Sequence, residues 1–449
     1  MNRNRLSAVK SPLLIFCGFL LTSTGHLAWM YHLMEQTSAF LSFQLSTVAG
    51  YALQAVGVGL FLLFLRNKRL RPRVTAITAL MAYAAFSVPA VMGTSLLGTI
   101  VFGFLLSLLC GVIAGYYLYV LTRCHTSRRA LFFGAGYSAA TIGSWLLSLI
   151  DGGKFYNGNG VILICLVLSA LTIAVACIPS PQPKKTTQPA LPQNVKAKTF
   201  LLVAGGVVLL FSLVNNIGFS YAASEVQGGL RPELSRLFYA VGLIAAGIVT
   251  DKSRKYGAVC ALAALILPFI VLALKGEPLS SVVFWALGYL AFGFYAVFRV
   301  IIFSDIAQSH DALFLSGFGL LIGRCGDALG SEIYAIAEKQ QIILTAVSAI
   351  LFIGAVFLFI KLFQLLYAPS SPKSENDIFN RFAVQFELTG KEQEVLRLLL
   401  DNKSNKEISA LMCVSENTVK FHVRNLLRKT SCKNRAEIKT AYHAADCLS

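Results

Sequence analysis

The stretch SENTVKFHVRNLLRKT (Ser415–Thr430) holds the side chains of this chain best fitted to recognise another molecule. Wound as a helix, it puts Val419, Val423, Leu426 and Leu427 at i, i+4, i+7 and i+8, one apolar stripe. Asn417, Phe421, Arg424 and Arg428 then face the other way, with Lys420 on the flank. Such a face suits the major groove of DNA, because Arg can be bidentate to guanine while Lys and Arg neutralise phosphates. From Ser415 to Lys439 there are seven Lys/Arg against two acids, Glu416 and Glu437. On charge alone a solvated basic helix would read the same way, so the surrounding segment has to decide.

A second cluster, GRCGDALGSE (Gly323–Glu332), lies inside a long apolar run. A central charge in a membrane costs roughly 2.5–3.5 kcal/mol on insertion scales, so each one needs an explanation. Arg324 and Asp327 are three apart and can pair on one helix face. Gly323, Gly326 and Gly330 would let a neighbouring helix come close. Two readings are open: an internal ion pair that fixes packing, or the charged wall of a site for a polar or anionic small molecule. His26 and Trp29, Asn215 and Asn216, and Trp285, Tyr289, Tyr295 and Arg299 are the other polar or aromatic groups in apolar runs that could join such a pocket. Catalysis has no support here: there is no carboxylate pair with a plausible water, no nucleophile beside a histidine and no phosphate-cradling glycine loop. The ten cysteines form no CxxC or Cys/His cluster, so neither a metal nor any other cofactor is expected.

The elements that must position these groups are mostly membrane helices. The 449 residues are 56% hydrophobic and only 13% charged, which excludes an ordinary soluble protein. Apolar segments long enough to cross a bilayer recur up to Tyr367. They are expected near 11–34, 39–65, 74–92, 95–121, 130–150, 160–179, 199–222, 234–250, 257–274, 279–303, 312–335 and 341–367, about twelve spans. The first follows Arg3, Arg5 and Lys10 but lacks a small-residue cleavage site, so it reads as an uncleaved span. With the N-terminus inside, the inner loops gather Arg66–Arg73, Arg123, Arg128, Arg129, Lys184, Lys185, Lys196, Lys198, Lys252, Arg254 and Lys255. The outer loops hold only Lys154, Arg231, Arg236, Lys275 and Lys339. This bias predicts a multi-pass protein of the cytoplasmic membrane with both termini in the cytoplasm.

The polar, proline-rich segment 180–198 splits the membrane domain, 1–367, into halves of six spans each, 10–179 and 199–367. In the second half GIVTDKSRKYG (Gly247–Gly257) resembles the G-x-x-x-D-[RK]-x-[GR]-[RK] loop of the major facilitator superfamily, through Gly247, Asp251, Lys252, Arg254 and Lys255. The first-half counterpart, FLLFLRNKRLRP (Phe61–Pro72), keeps the basic residues without the glycine and aspartate. The resemblance implies two six-helix halves that this loop locks and releases, with spans 1, 4, 7 and 10 lining a central cavity.

After Tyr367 the composition turns to proline, serine and charge, and 368–385 is expected to be a linker ahead of a soluble domain at 386–449. Thr389 with Glu392, Ser404 with Glu407 and Asn434 with Glu437 are capping boxes, and Ser415 is a plain N-cap, which together predict four short helices. LMCVS (Leu411–Ser415) joins the second and third at helix-turn-helix spacing. The segment Leu388–Ile438, with LTGKEQEVL, SNKEI, VSENTVKFHV, LLRKT and NRAE, closely resembles the LuxR-type, or GerE-like, DNA-binding domain. That resemblance implies base contacts from Lys420, Phe421 and Arg424, and phosphate contacts near Asn417 and Thr418. It also implies a core built on Glu394, Leu396, Ile408, Val414 and Val419, and a dimerisation role for the helix after Asn434.

The fold class expected is therefore all-α: a polytopic membrane bundle followed by a four-helix helix-turn-helix domain. As a whole the chain resembles membrane-embedded LuxR-family regulators with a facilitator-like N-terminal region, a class of one-component transcription regulators and not of enzymes. The partners this implies are double-stranded promoter DNA, the lipid bilayer, an unidentified small molecule, a second copy of the chain on DNA, and the transcription machinery. The alternative is a facilitator-type transporter with a DNA-binding regulatory tail.

Overall fold

The computed structural model describes residues 3–67, 71–124, 128–150, 155–179, 197–225, 235–267, 278–310, 312–337, 340–367 and 375–447, and all regular structure among them is helical. Two compact units result, Met1–Tyr367 and Ala368–Ser449.

The first unit begins with α1 (Arg3–Gln36), followed by α2 (Ala39–Phe43), which runs through a π-helical turn (Gln44–Ala49) into α3 (Gly50–Asn67). Then come α4 (Pro72–Met92), α5 (Leu96–Arg123), α6 (Arg129–Ser148) and α7 (Gly160–Cys177). The second half holds α8 (Ala197–Glu225), α9 (Ser235–Lys252), α10 (Arg254–Ala264), α11 (Pro278–Ser309), α12 (Phe318–Ala337) and α13 (Gln341–Tyr367). Among the described residues ten helices are long and apolar enough to cross a membrane. The expected eighth span corresponds to α9, which has the length of a span but carries Arg236, Asp251 and Lys252. The ninth is described as α10 only, and much of its expected range, like most of the linker 180–198, lies outside the described residues.

These helices are apolar on the outside as well as within. Along α13, Ile342, Ile350, Ile353 and Phe357 are all more than two-thirds exposed, which only a hydrocarbon solvent tolerates over so long a run. Packing is tightest where small residues let backbones meet. The halves join through α6 against α9 and α3 against α12. At the α6–α9 crossing a Cβ on Gly247 would lie 2.8 Å from Leu131 Cα, so this approach admits no side chain.

The second unit has its own core, made by Phe379, Phe382, Leu388, Val395, Leu396, Leu399, Ile408, Val419, Val423, Leu426, Ile438 and Tyr442. Its helices are α14 (Glu375–Gln385), α15 (Gly390–Leu400), α16 (Asn405–Leu411), α17 (Glu416–Thr430) and α18 (Arg435–Cys447). Here the structure corrects the expected linker 368–385. Residues 375–385 are helical, because Phe379, Phe382 and Ala383 form an apolar stripe that the core absorbs. A second correction concerns Glu394, which is exposed and pairs with Lys391, whereas Glu392 is the buried acid.

Candidate DNA-reading face and membrane cavity

The C-terminal unit is built by caps. Thr389 and Ser404 each close a reciprocal box, with Glu392 and Glu407, at the starts of α15 and α16. Ser415 Oγ accepts from Thr418 N at 3.1 Å and opens α17. Asn434 Oδ1 accepts from Glu437 N, but Glu437 Oε2 takes the backbone N–H of Lys433 and not that of Asn434, so this cap reaches one residue further back. The turn between α16 and α17 passes through Cys413 at φ 53°, a left-handed backbone without glycine.

Within α17, Val419, Val423, Leu426 and Thr430 are buried, while Asn417, Thr418, Lys420, Phe421, Arg424 and Arg428 are all exposed. The solvent face thus gathers all six residues expected to meet DNA, and Phe421 is 58% exposed, unusual for a phenyl ring with no other burden. Other basic residues nearby serve the fold. Lys429 Nζ donates to Glu392 Oε2 at 2.8 Å and to the Glu387 carbonyl at 2.7 Å, Arg435 bonds Asn405, and Lys439 bonds Asn402. Burial pushes the Glu392 carboxyl up, but hydrogen bonds from Lys429 and from Thr389 outweigh it and hold the group below its ordinary value of 4.5. Bonds from the Ser404 backbone and hydroxyl likewise hold Glu407 down. The Glu392–Lys429 strut fixes the last turn of α17 to the first turn of α15, which sets the angle at which the basic face is presented. The capping box marked Glu392 in the sequence, but its partner is thirty-odd residues away and left no local signal.

The membrane unit holds a partly open cavity of about 370 Å³. Its lining includes His26, Asn215, Asn216, Tyr289, Arg299, Arg324 and Asp327, seven of the residues singled out as pocket candidates. Two candidates stand elsewhere. Trp29 is fully buried, its ring flat against Gly103 and its Nε1 donating to the Thr99 carbonyl at 2.9 Å. Tyr295 is fully buried too and bonds Ser212, sitting behind Arg299 and not on the cavity surface. The Trp285 side chain lies outside the described residues. Tyr51 and Gln54 of α3, Tyr137 of α6 and Tyr239 of α9 also line the space, and the sequence reading missed them.

Asp327 is the electrostatic centre of this wall. Its Oδ2 accepts from Arg324 at 3.1 Å and from Arg299 at 3.2 Å, so the pair expected within α12 is a triad that ties α12 to α11. The Arg324 guanidinium also lies over the Tyr51 ring, 4.6 Å from its centroid. Away from the cavity, a second charged group bridges the halves. Asp251 accepts from the backbone N–H groups of Ala130 and Leu131 at 3.0 and 2.7 Å, capping α6 from the opposite half. Arg254 bonds both Asp251 and Asp305, and Arg129 reaches Asp305 as well. Gly247, Asp251 and Arg254 of the facilitator-like loop all take part in this joint.

Together these features define a polytopic helical membrane bundle that carries a helix-turn-helix DNA-binding domain. Residues 387–441 match the family described as bacterial regulatory proteins, luxR family (GerE). The spore germination protein GerE of Bacillus subtilis is 40% identical over 50 residues, 11% of this chain and 68% of that protein. Through this domain the chain belongs to the luxR family. The nitrate/nitrite response regulator protein NarP of Escherichia coli is 48% identical over 48 residues, 11% of this chain but only 22% of that protein. The chain therefore spans under a quarter of the length of NarP. Solved structures resemble the membrane unit. A Major Facilitator Superfamily transporter, FucP, in the outward conformation gives a TM-score of 0.57 at 12% identity, covering 80% of this chain and 99% of that one. The human organic anion transporter MFSD10 gives 0.55 at 16% identity, covering 82% of this chain and all of that one. At such identities the likeness is one of fold, and the membrane unit has a facilitator-like fold.

Proposed function

We propose that this chain is a membrane-bound one-component transcription regulator. Its helix-turn-helix domain binds promoter DNA from the cytoplasmic side of the cytoplasmic membrane, and its facilitator-like unit senses a small molecule in the central cavity. The observation that carries the reading is the exposed set Asn417, Thr418, Lys420, Phe421, Arg424 and Arg428 on one capped helix of a luxR-family domain. A facilitator-like body has at least two packings, and a cavity ligand that favours one of them shifts their populations. The joint between Asp251, Arg254, Asp305 and Arg129 is an element that such a shift would make or break. Two copies on a palindrome, meeting in the plane of the bilayer, are the expected DNA-bound form.

Crosslinking followed by recovery of bound DNA from intact cells tests this, with full-length protein compared to the Lys420→Ala/Arg424→Ala double variant. Discrete sites lost in the variant support a regulator. No sites in either, with both proteins in the membrane, would sink the assignment. The cavity in a facilitator-like fold favours one rival, a transporter with a regulatory tail. Uptake of a labelled ligand into proteoliposomes separates the two, since a pure sensor binds without accumulating solute.

A further inference from the structure

We propose that the cavity of the membrane unit takes a small organic anion, a carboxylate on an aromatic or apolar body that also bears a hydroxyl. The carboxylate would be received by Arg324 and Arg299. This rests on the sensing reading above and adds the chemical class of the ligand.

Charge is the first argument. Two guanidiniums, with side chains 17% and 5% exposed, share one carboxylate oxygen, Asp327 Oδ2. Among the described residues lining the cavity, Asp327 is the sole acid against Arg299 and Arg324, which leaves one positive charge over. A buried ion without a counterion is costly in a low-dielectric surrounding, and a ligand that brings a single negative charge removes that cost. A cationic ligand would add to the excess, and a neutral one would leave it in place.

The unmet hydrogen bonds point the same way. Arg324 Nε is buried and has no partner, although its terminal nitrogen is engaged by Asp327. The Tyr51 ring beneath the guanidinium keeps it from turning away. An N–H donor of a charged group held in this manner is half of a bidentate carboxylate site. Asn215 Oδ1 and His26 Nδ1 are also buried and unpartnered, and both residues line the same cavity. Buried groups of this kind are rare in folded proteins. A ligand hydroxyl would satisfy the Asn215 oxygen.

Size and lining set the body. A cavity of about 370 Å³ falls at the small end of ligand sites. Phe19, Tyr51, Tyr117, Tyr137, Tyr239 and Phe292 give it aromatic walls. A single aromatic ring can pack against such walls, offset-stacked or edge-to-face.

The test uses full-length protein in lipid nanodiscs, with thermal unfolding and calorimetric titration as readouts. The probes are 4-hydroxybenzoate, 4-hydroxybenzamide, tyramine and sodium chloride, matched for ionic strength. The expected result is a concentration-dependent rise in unfolding temperature with 4-hydroxybenzoate, at least tenfold tighter than with the amide, and none with tyramine. Arg324→Gln should weaken 4-hydroxybenzoate at least tenfold. Arg324→Lys, which keeps the charge but not the fork, should restore part of the binding and guards against a simple folding defect. Equal binding of benzamide and benzoate, or benzoate binding unchanged in Arg324→Gln, overturns the anion assignment and leaves the sensing reading standing. Chloride stabilising as well as benzoate would make the site one for an inorganic anion and overturn the organic class. No shift with any probe overturns the class outright, and the sensor reading is then judged by the DNA-recovery experiment, which uses none of these probes.

Discussion

Replacing Glu392 by Gln should loosen the DNA-reading helix without touching its exposed face. The Glu392 side chain is 4% exposed and its Oε2 accepts from Lys429 Nζ at 2.8 Å and from Thr389 N at 2.9 Å. Gln keeps the shape and can still accept from Thr389, so the capping contact survives in part. What is lost is the charge opposite Lys429. Breaking a buried ion pair costs about 3–5 kcal/mol, but Lys429 is 25% exposed and retains the Glu387 carbonyl, so water and that carbonyl recover part of the loss. We expect a cost of about 2 kcal/mol at neutral pH, or a fall of roughly 8–16 °C in Tm for a domain of this size. The sign with pH follows from the depressed carboxyl. Its contribution is fully present above the unfolded value near 4.5 and is lost as pH falls through the lower folded value. Urea unfolding of residues 368–449, which hold a complete core of their own, followed by far-ultraviolet circular dichroism at pH 7 and pH 3, measures both. A deficit under about 0.5 kcal/mol at pH 7, or an equal deficit at pH 3, would refute the strut.

Three further outcomes are expected. Cys413→Gly should stabilise the same domain by about 1 kcal/mol, because glycine removes the cost of the left-handed φ of 53°, and urea midpoints would reveal it. Arg424→Ala should weaken a bound operator by about 1–3 kcal/mol and relax base preference at one position, whereas a pure phosphate contact would weaken all sequences alike; titration of an operator and its point variants at fixed salt separates these. Gly247→Ala should insert normally but destabilise the membrane unit by about 1–3 kcal/mol through overpacking, seen as a lower midpoint for loss of monodisperse protein on heating in detergent.

The parts of the site that were legible in the sequence are those governed by local rules. The reading face of α17 follows from a 3.6-residue period and a cap, both contained in sixteen consecutive residues. The membrane candidates depend on how each helix is rotated, which composition does not encode. Trp29 and Tyr295 have the right chemistry and the right spans, yet each turns toward a neighbouring helix, to Thr99 and Ser212. Tyr51, Gln54, Tyr137 and Tyr239 enter the cavity from helices the facilitator resemblance did not bring forward. Arg299 and Asp327 are 28 residues apart, so only the packing of α11 on α12 turns a local Arg324–Asp327 pair into a triad. The helix at 375–385 was readable from Phe379 and Phe382, but the charged residues around them masked it as linker.

The joint between the halves has a consequence for ionic strength. Closed, the four side chains Arg129, Arg254, Asp251 and Asp305 sum to zero. Parted, Arg129 and the N-terminus of α6 leave with the first half, and the second half keeps Arg254 with both aspartates. Opening therefore separates Arg129 from the bonded cluster Asp251, Arg254 and Asp305, whose three side chains sum to one negative charge, and dissolved ions screen that attraction over about 8–10 Å at ordinary salt. Rising ionic strength around this joint weakens its closed arrangement, and under the sensor reading proposed above the resting balance would carry a reading of salt content even with no ligand present.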